Sequence, residues 1–148
     1  MLKGISFKAI LIGIVSFVAI EVVGGIFLGI AIVIYLSKTH DSHAHSYYDT
    51  MNRLNHSLSM MLIMLGLGIG SGVLSGAATG WIAPTNRIKN AFVMYLVLIV
   101  LSQPLSLIVG DYPLWFDVIG LVSGTASAML GGWIVQLIYH DRKPEESH

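Results

Sequence analysis

Two copies of a glycine-rich segment, 52 positions apart, constrain the fold of this chain more than any other sequence feature. The segments Gly68–Ile82 (GIGSGVLSGAATGWI) and Gly120–Ile134 (GLVSGTASAMLGGWI) are identical at seven of fifteen positions. In each copy a small residue returns every fourth position, a spacing that lets apolar helices in a bilayer approach closely. We therefore expect helix–helix packing at eight positions: Gly68, Gly72, Gly76, Gly80, Gly120, Gly124, Ala128 and Gly132.

Four long apolar runs dominate the sequence, at about residues 9–37, 58–83, 91–110 and 114–139. Each provides the roughly 20 residues that a helix needs to cross the hydrocarbon core. The runs are continuous rather than alternating, so they predict helices and not barrel strands. A composition of 55% hydrophobic and 11% charged residues also indicates helices in a membrane. The prediction is an all-α, polytopic membrane protein, with its 148 residues forming one antiparallel four-helix bundle.

The two copies of the repeat run in the same direction across the membrane, which predicts two tandem helical hairpins related by a parallel pseudo-twofold axis. The simplest packing then places the second span against the fourth in a glycine zipper. The segments also carry hydroxyl side chains that we expect to hydrogen-bond across helices, namely Ser71, Ser75, Thr79, Ser123, Thr125 and Ser127.

The basic residues predict the orientation of the spans. One side would hold Lys3, Lys8, Arg87, Lys89, Arg142 and Lys143, and the other only Lys38 and Arg53. The positive-inside rule therefore places both termini in the cytoplasm, with the chain in a bacterial inner membrane. Run 9–37 is too long for the apolar core of a signal peptide, so we expect it to remain as the first span. Residues 38–56 form the outer loop and residues 140–148 a cytoplasmic tail.

Glu21 and Gln103 are the large polar side chains deep in the first and third runs. A charged side chain at the bilayer centre costs at least roughly 2.5–3.5 kcal/mol, and no Lys or Arg lies at a comparable depth. One interpretation makes Glu21 a proton or cation site, with Gln103 as its partner. A second makes it a neutral group that bonds Gln103 and fixes helix register. A third interpretation is that a partner protein supplies the missing cation.

The residues around Glu21, Ala-Ile-Glu-Val-Val-Gly at positions 19–24, resemble the first-span glutamate region of the small multidrug-resistance transporters. That family also has four spans, and the resemblance covers these six residues. It implies a glutamate that binds drug cations and protons in turn, a role that would fall to Glu21. The long outer loop, the charge bias and the glycine repeat depart from that family.

Residues 38–56 concentrate four histidines, His40, His43, His45 and His56. Imidazole nitrogens suit Zn²⁺, Cu²⁺ or Ni²⁺, and closely spaced histidines can reach a common ion. Metal sites in proteins usually need three or four ligands held by ordered elements, so a loop of this kind supplies a weak site. The alternative is an ordinary solvated loop. No other cofactor is indicated.

Several function classes are excluded or disfavoured by what the sequence lacks. The chain has no Cys, which rules out disulfides and thiolate chemistry. Its net charge of zero gives no case for nucleic-acid binding. No hydrolase, zinc-protease or phosphate-loop motif is present, so we do not expect an enzyme. Three functions remain. The first is a structural or interaction protein, which would form a homo-oligomer or serve as an accessory subunit of other membrane proteins. The second is a small proton- or cation-coupled transporter or channel, and the third is a metal-binding membrane protein.

Overall fold

The computed structural model describes residues 4–38, 57–109 and 112–140, without the side chains at positions 36, 103–109 and 140. The described residues form four helices, α1 (Phe7–Lys38), α2 (Leu58–Ile82), α3 (Arg87–Val109) and α4 (Leu114–His140). No strand occurs in these ranges. The all-α prediction is therefore confirmed, and each helix begins and ends within four residues of a predicted span. Apart from their first residues, the predicted outer loop 38–56 and tail 140–148 lie outside the described residues.

Three of the helices are long and apolar enough to cross a membrane, over Phe7–Tyr35, Leu58–Ile82 and Leu114–Tyr139. Large apolar side chains on their outward faces are exposed, including Phe27, Leu74 and Val122. A water-soluble bundle would turn such side chains inward, whereas a bundle in lipid can leave them outside. These features are those of an integral membrane protein.

The α2–α3 turn is shorter than the gap between the predicted spans 58–83 and 91–110, because α3 begins at Arg87. Ala83 caps the end of α2, and its N–H donates to the Thr79 carbonyl. Asn86 adopts a φ of 50°, in the left-handed region that Asn tolerates better than most residues, and α3 begins at the next residue. The predicted span began too late, because α3 starts at Arg87 and already includes Asn90, whose side chain is fully buried.

Asn90 joins three parts of the chain at the end of the bundle that holds this turn (the turn end). Its side-chain oxygen accepts from the Ser6 N–H at 2.7 Å. Its amide nitrogen lies 3.0 Å from the carbonyl oxygens of Gly4, Thr85 and Asn86. Two amide protons are thus shared among three acceptors. This one side chain therefore fastens the segment before α1 to the α2–α3 turn.

The α2–α4 interface is the most extensive in the bundle. A Cβ atom added to Gly76 would lie 2.8 Å from backbone carbons of Ala128, and one added to Gly131 would lie 2.6 Å from the Ala77 nitrogen. A Cβ at Gly80 would lie 3.1 Å from the Gly132 Cα. Real Cβ atoms essentially never approach closer than 3.0 Å. The two backbones are therefore close enough here that only glycine fits at Gly76 and Gly131.

Helix α1 packs against α2 and α3. A Cβ at Gly13 would overlap Thr79 of α2 and lie 2.9 Å from Met94 of α3. Higher along α1, a Cβ at Gly24 would lie 2.6 Å from Leu67. A small apolar core closes this part of the bundle and contains Ile10, Met94, Leu98 and Ala128. Glu21 lies on α1 between these two close approaches.

Candidate functional site

Glu21 is half-buried on the side of α1 that faces the bundle. Ile20 and Gly24, its neighbours on that side, are also partly covered, whereas Val22 and Val23 are exposed. A carboxyl group at this depth needs polar partners, because lipid offers none. The partners come from α2 and α3.

Ser71 of α2 is the direct partner of Glu21: its hydroxyl donates a hydrogen bond to Glu21 Oε1. The Ser71 side chain is buried, and its Oγ also lies 3.0 Å from the Leu67 carbonyl oxygen and 3.1 Å from that of Gly68. A hydroxyl has one proton and two acceptor lone pairs. Ser71 can therefore donate to an ionised Glu21, or turn its proton to the Leu67 carbonyl and accept from a protonated Glu21.

Tyr95 of α3 adds a second polar group to this cluster. The Glu21 carboxyl lies within electrostatic range of the Tyr95 phenol. The Tyr95 ring packs edge-on against Phe17 of α1, with ring centroids 6.2 Å apart. Its far end reaches α4, where a Cβ at Gly124 would overlap the hydroxyl and lie 3.1 Å from Cε1. The glycine at position 124 thus gives the tyrosine its space. Glu21, Ser71 and Tyr95, with Gly124 beside them, form the Glu21 cluster, to which all four helices contribute.

The other hydroxyls in the repeat segments bond within their own helices. Ser75 donates to the Gly72 carbonyl at 3.1 Å and Thr79 to the Ser75 carbonyl at 2.8 Å. In α4, Ser127 donates to the Gly124 carbonyl at 2.8 Å. The same pattern holds for Ser123 and Thr125. Cross-helix bonding was predicted for all six hydroxyls, but among the described side chains only that of Ser71 bonds across helices, because the carbonyl one turn earlier is always within reach.

The remaining predicted site residues fall partly outside the described residues. Gln103 lies within α3, but its side chain is not among those described, so its pairing with Glu21 stays a prediction. The four loop histidines, His40, His43, His45 and His56, all lie outside the described ranges. Within 4–38, 57–109 and 112–140, no three His, Cys, Asp or Glu residues are grouped as a metal site.

The glycine positions divide into packed and open ones. Gly72, Gly76, Gly80, Gly124 and Gly132 each lie against a neighbouring helix, and Ala128 lies against Gly76. Gly68 and Gly120 have no described atom within 4 Å of the place a Cβ would occupy. Sequence reasoning missed two residues, Gly131 and Tyr95. The signal for Tyr95 was its phenol inside the largely apolar run 91–110. Gly131 lies outside the fourfold spacing, so the sequence gave no signal for it.

The all-helical fold, with three helices apolar enough to cross a membrane, defines a helical membrane protein. No protein family, curated protein or solved structure matches this chain. A function must therefore be argued from the helices themselves and from the Glu21 cluster.

Proposed function

We propose that this chain is a small, non-enzymatic integral membrane protein of structural or interaction type that pairs with a second copy of itself through α1. The observation that carries the proposal is how little of α1 the bundle covers. In the most apolar stretch of α1 no residue is buried, against 28% in α2 and 33% in α4. A helix of this kind has room for a neighbour that the single chain does not supply.

We also propose that α3 is the remaining membrane span and that α2 and α4 pack against each other as a glycine zipper. Helix α3 has 23 residues, and at about 1.5 Å per residue it reaches the thickness of the hydrocarbon core. The close approach at Gly76 and Gly131 favours glycines that pack helices over glycines that line a pore, since no space remains between the backbones there. The rigid α2–α4 pair would then be the scaffold that carries α1.

The part of α1 beyond Glu21 presents the surface for a second copy. One stripe, Gly24, Leu28 and Ile32, is partly covered. The other large apolar side chains described there are exposed, namely Val22, Val23, Ile26, Phe27, Ile30, Val33, Ile34 and Tyr35. Gly25 and Gly29 have no described atom within 4 Å of a Cβ position. A small-xxx-small pair on an uncovered apolar face is the arrangement through which membrane helices pair.

Cross-linking through α1 tests the assembly. The chain has no Cys, so Val22→Cys places a single thiol one heptad before Gly29, on the same face of α1. We expect oxidation in native membranes to yield a covalent dimer. Adding Gly29→Leu should lower the yield about fivefold, the effect of losing about 1 kcal/mol of association energy.

Ala31→Leu in the same Val22→Cys background is the matched control, because Ala31 is also exposed but lies beyond the stripe that faces α2. It should leave the yield unchanged. A cross-linking yield that is unchanged by Gly29→Leu would contradict pairing through this face. A cross-link to a different protein would instead identify the chain as an accessory subunit.

The Glu21 cluster favours a second function, proton or cation transport. Its support is that the Ser71 hydroxyl can serve Glu21 in either protonation state, so a proton could come and go without loss of the α1–α2 contact. An intramembrane carboxyl group is by default a candidate proton carrier.

Liposome measurements separate the two functions. If Glu21 carries protons, purified protein in liposomes should dissipate a pH gradient faster than empty liposomes do, and Glu21→Gln should abolish the difference. The variant should still fold and assemble, since an amide can accept from Ser71 as the carboxylate does. Asp117→Asn, which changes an exposed carboxyl group on α4, is the control and should retain the flux. Equal rates for the native chain and Glu21→Gln would leave Glu21 with a structural role.

A further inference from the structure

Two aromatic rings and a guanidinium group stack against one another at the turn end of the bundle. The rings of Trp81 on α2 and Tyr139 on α4 meet edge to face, with centroids 5.5 Å apart. The Arg87 guanidinium carbon lies 3.6 Å from the centroid of the Tyr139 ring, and the Arg87 Nε donates to the Ala83 carbonyl oxygen at 3.3 Å. Trp81 is 52% exposed, so this turn-end stack of Trp81, Tyr139 and Arg87 faces the surroundings of the protein.

The chemistry of the three side chains fits one layer of a membrane. The guanidinium of Arg87 stays charged, so hydrocarbon is a costly place for it. Trp and Tyr carry a polar N–H or O–H on a large apolar ring, and such side chains concentrate where lipid headgroups meet hydrocarbon. The headgroup layer therefore accommodates the charge and the rings together, whereas the hydrocarbon core would suit only the rings.

A further indole, that of Trp133 on α4, lies at the same level as Trp81. Helices α2 and α4 run in the same direction, and a Cβ at Gly80 would lie 3.1 Å from the Gly132 Cα. The residues that follow these two glycines, Trp81 and Trp133, are therefore level with each other. Trp133 is 47% exposed. Two exposed indoles on different helices thus mark one plane across the bundle.

A second aromatic group lies at the opposite end of α4. The Trp115 ring packs edge-on against Phe116, with centroids 5.9 Å apart, and the Phe116 ring centroid lies 5.2 Å from that of Tyr112. Trp115 is also exposed, and it precedes Trp133 by 18 residues of the same helix. At about 1.5 Å per residue the two indoles are about 27 Å apart, close to the roughly 30 Å of a hydrocarbon core.

We propose that the turn-end stack contacts the lipid headgroup layer and thereby holds Glu21 near the middle of the bilayer. Ser71, which donates to Glu21, precedes Trp81 by ten residues of α2. This separation is about 15 Å along the helix, half the thickness of a hydrocarbon core. The placement requires only that the helices lie in a bilayer. It depends neither on pairing through α1 nor on proton binding by Glu21.

Depth-dependent quenching of fluorescence tests the placement. Trp115→Phe combined with Trp133→Phe leaves Trp81 as the single indole, in vesicles of phosphatidylcholine brominated at known positions of the acyl chain. We expect Trp81 to lie about 15 Å from the bilayer centre. Adding Trp81→Phe and Leu74→Trp is the matched control, because it moves the indole two turns along the same exposed face of α2. That indole should lie about 4.5 Å from the centre.

A thiol reaction tests the same placement with all three tryptophans left in position. The chain has no Cys, so Gln136→Cys puts a single thiol at an exposed position beyond Trp133, and Leu74→Cys puts one in the expected hydrocarbon. Only a thiolate reacts with N-ethylmaleimide, and it forms only in a polar layer, so Gln136→Cys should react at least about tenfold faster in vesicles. An indole at position 81 as deep as that of Leu74→Trp, or equal reaction rates of the two thiols, would overturn the proposal.

Discussion

Gly76→Leu is expected to cause one of the largest losses of stability among substitutions in the two repeat segments. Its side chain would have to enter the space between α2 and α4, where a Cβ alone would lie 2.8 Å from backbone carbons of Ala128. Backbone atoms cannot rotate away as a flexible side chain can, so the helices must separate. Overpacking a tight interior with smaller groups already costs about 1–3 kcal/mol. We expect a loss of at least about 3 kcal/mol, measured by unfolding in detergent followed by circular dichroism.

Gly70→Leu is the matched control on the same helix. Gly70 is exposed and has no described atom within 4 Å of a Cβ position. Leucine also has a higher helix propensity than glycine, so this variant should be neutral or stabilised by up to about 1 kcal/mol. A Gly76→Leu variant as stable as Gly70→Leu would show that α2 and α4 do not meet at their backbones.

Asn90→Ala is expected to be the most damaging change at the turn end. It removes the acceptor of the Ser6 N–H and the donors to Gly4, Thr85 and Asn86. A buried polar group left without a partner costs about 1–3 kcal/mol, and several are affected at once. We expect a loss of about 2–4 kcal/mol in stability and faster hydrogen exchange at the Ser6 amide.

The control for Asn90→Ala is Ser102→Ala, also in α3. The exposed Ser102 hydroxyl bonds only to the Ile99 carbonyl of its own helix among the described residues, so its loss should cost no more than about 0.5 kcal/mol. Unchanged exchange at Ser6 in Asn90→Ala would mean that this side chain does not hold the segment before α1.

Helix positions were predictable because each follows from local rules. Apolar runs of sufficient length predict helices wherever lipid cannot satisfy the backbone. Ser57 illustrates how local the signals are: it precedes the apolar run, and its hydroxyl caps α2 by accepting from the Met60 N–H at 3.3 Å. The α2–α3 turn lies in the gap between the predicted spans 58–83 and 91–110, but α3 begins at Arg87, four residues before the predicted span.

The glycine ridge was predictable only in part, for a geometric reason. A helix turns about 100° per residue, so a strict fourfold spacing drifts by about 40° at each step. From Gly120 to Gly132 the drift amounts to about 120°, and one neighbouring helix cannot follow it. Gly120 is accordingly open, while Gly132 reaches α3. Gly131, three residues after Ala128, restores the ridge toward α2.

The Glu21 cluster was also predictable only in part. The cost of a carboxyl group in an apolar run pointed to Glu21 from the sequence alone. Its partner did not follow, because six hydroxyls of the repeats were equally plausible and five of them bond their own helices. Which hydroxyl faces Glu21 depends on the rotation of α2 about its axis relative to α1.

The sequence by itself determined the helices, their apolar surfaces and the position of a single deep carboxyl group. These follow from chain-local quantities: the length of a run, the reach of a backbone hydrogen bond, and the cost of a charge in hydrocarbon. Only the tertiary structure decided that Ser71 meets Glu21, that Tyr95 fills the space at Gly124, that Gly131 joins the ridge and that α1 is left largely uncovered. Those outcomes depend on the rotation and depth of each helix relative to the others. The sum of many weak packing contacts sets these rotations and depths, and it cannot be read from any single stretch of sequence.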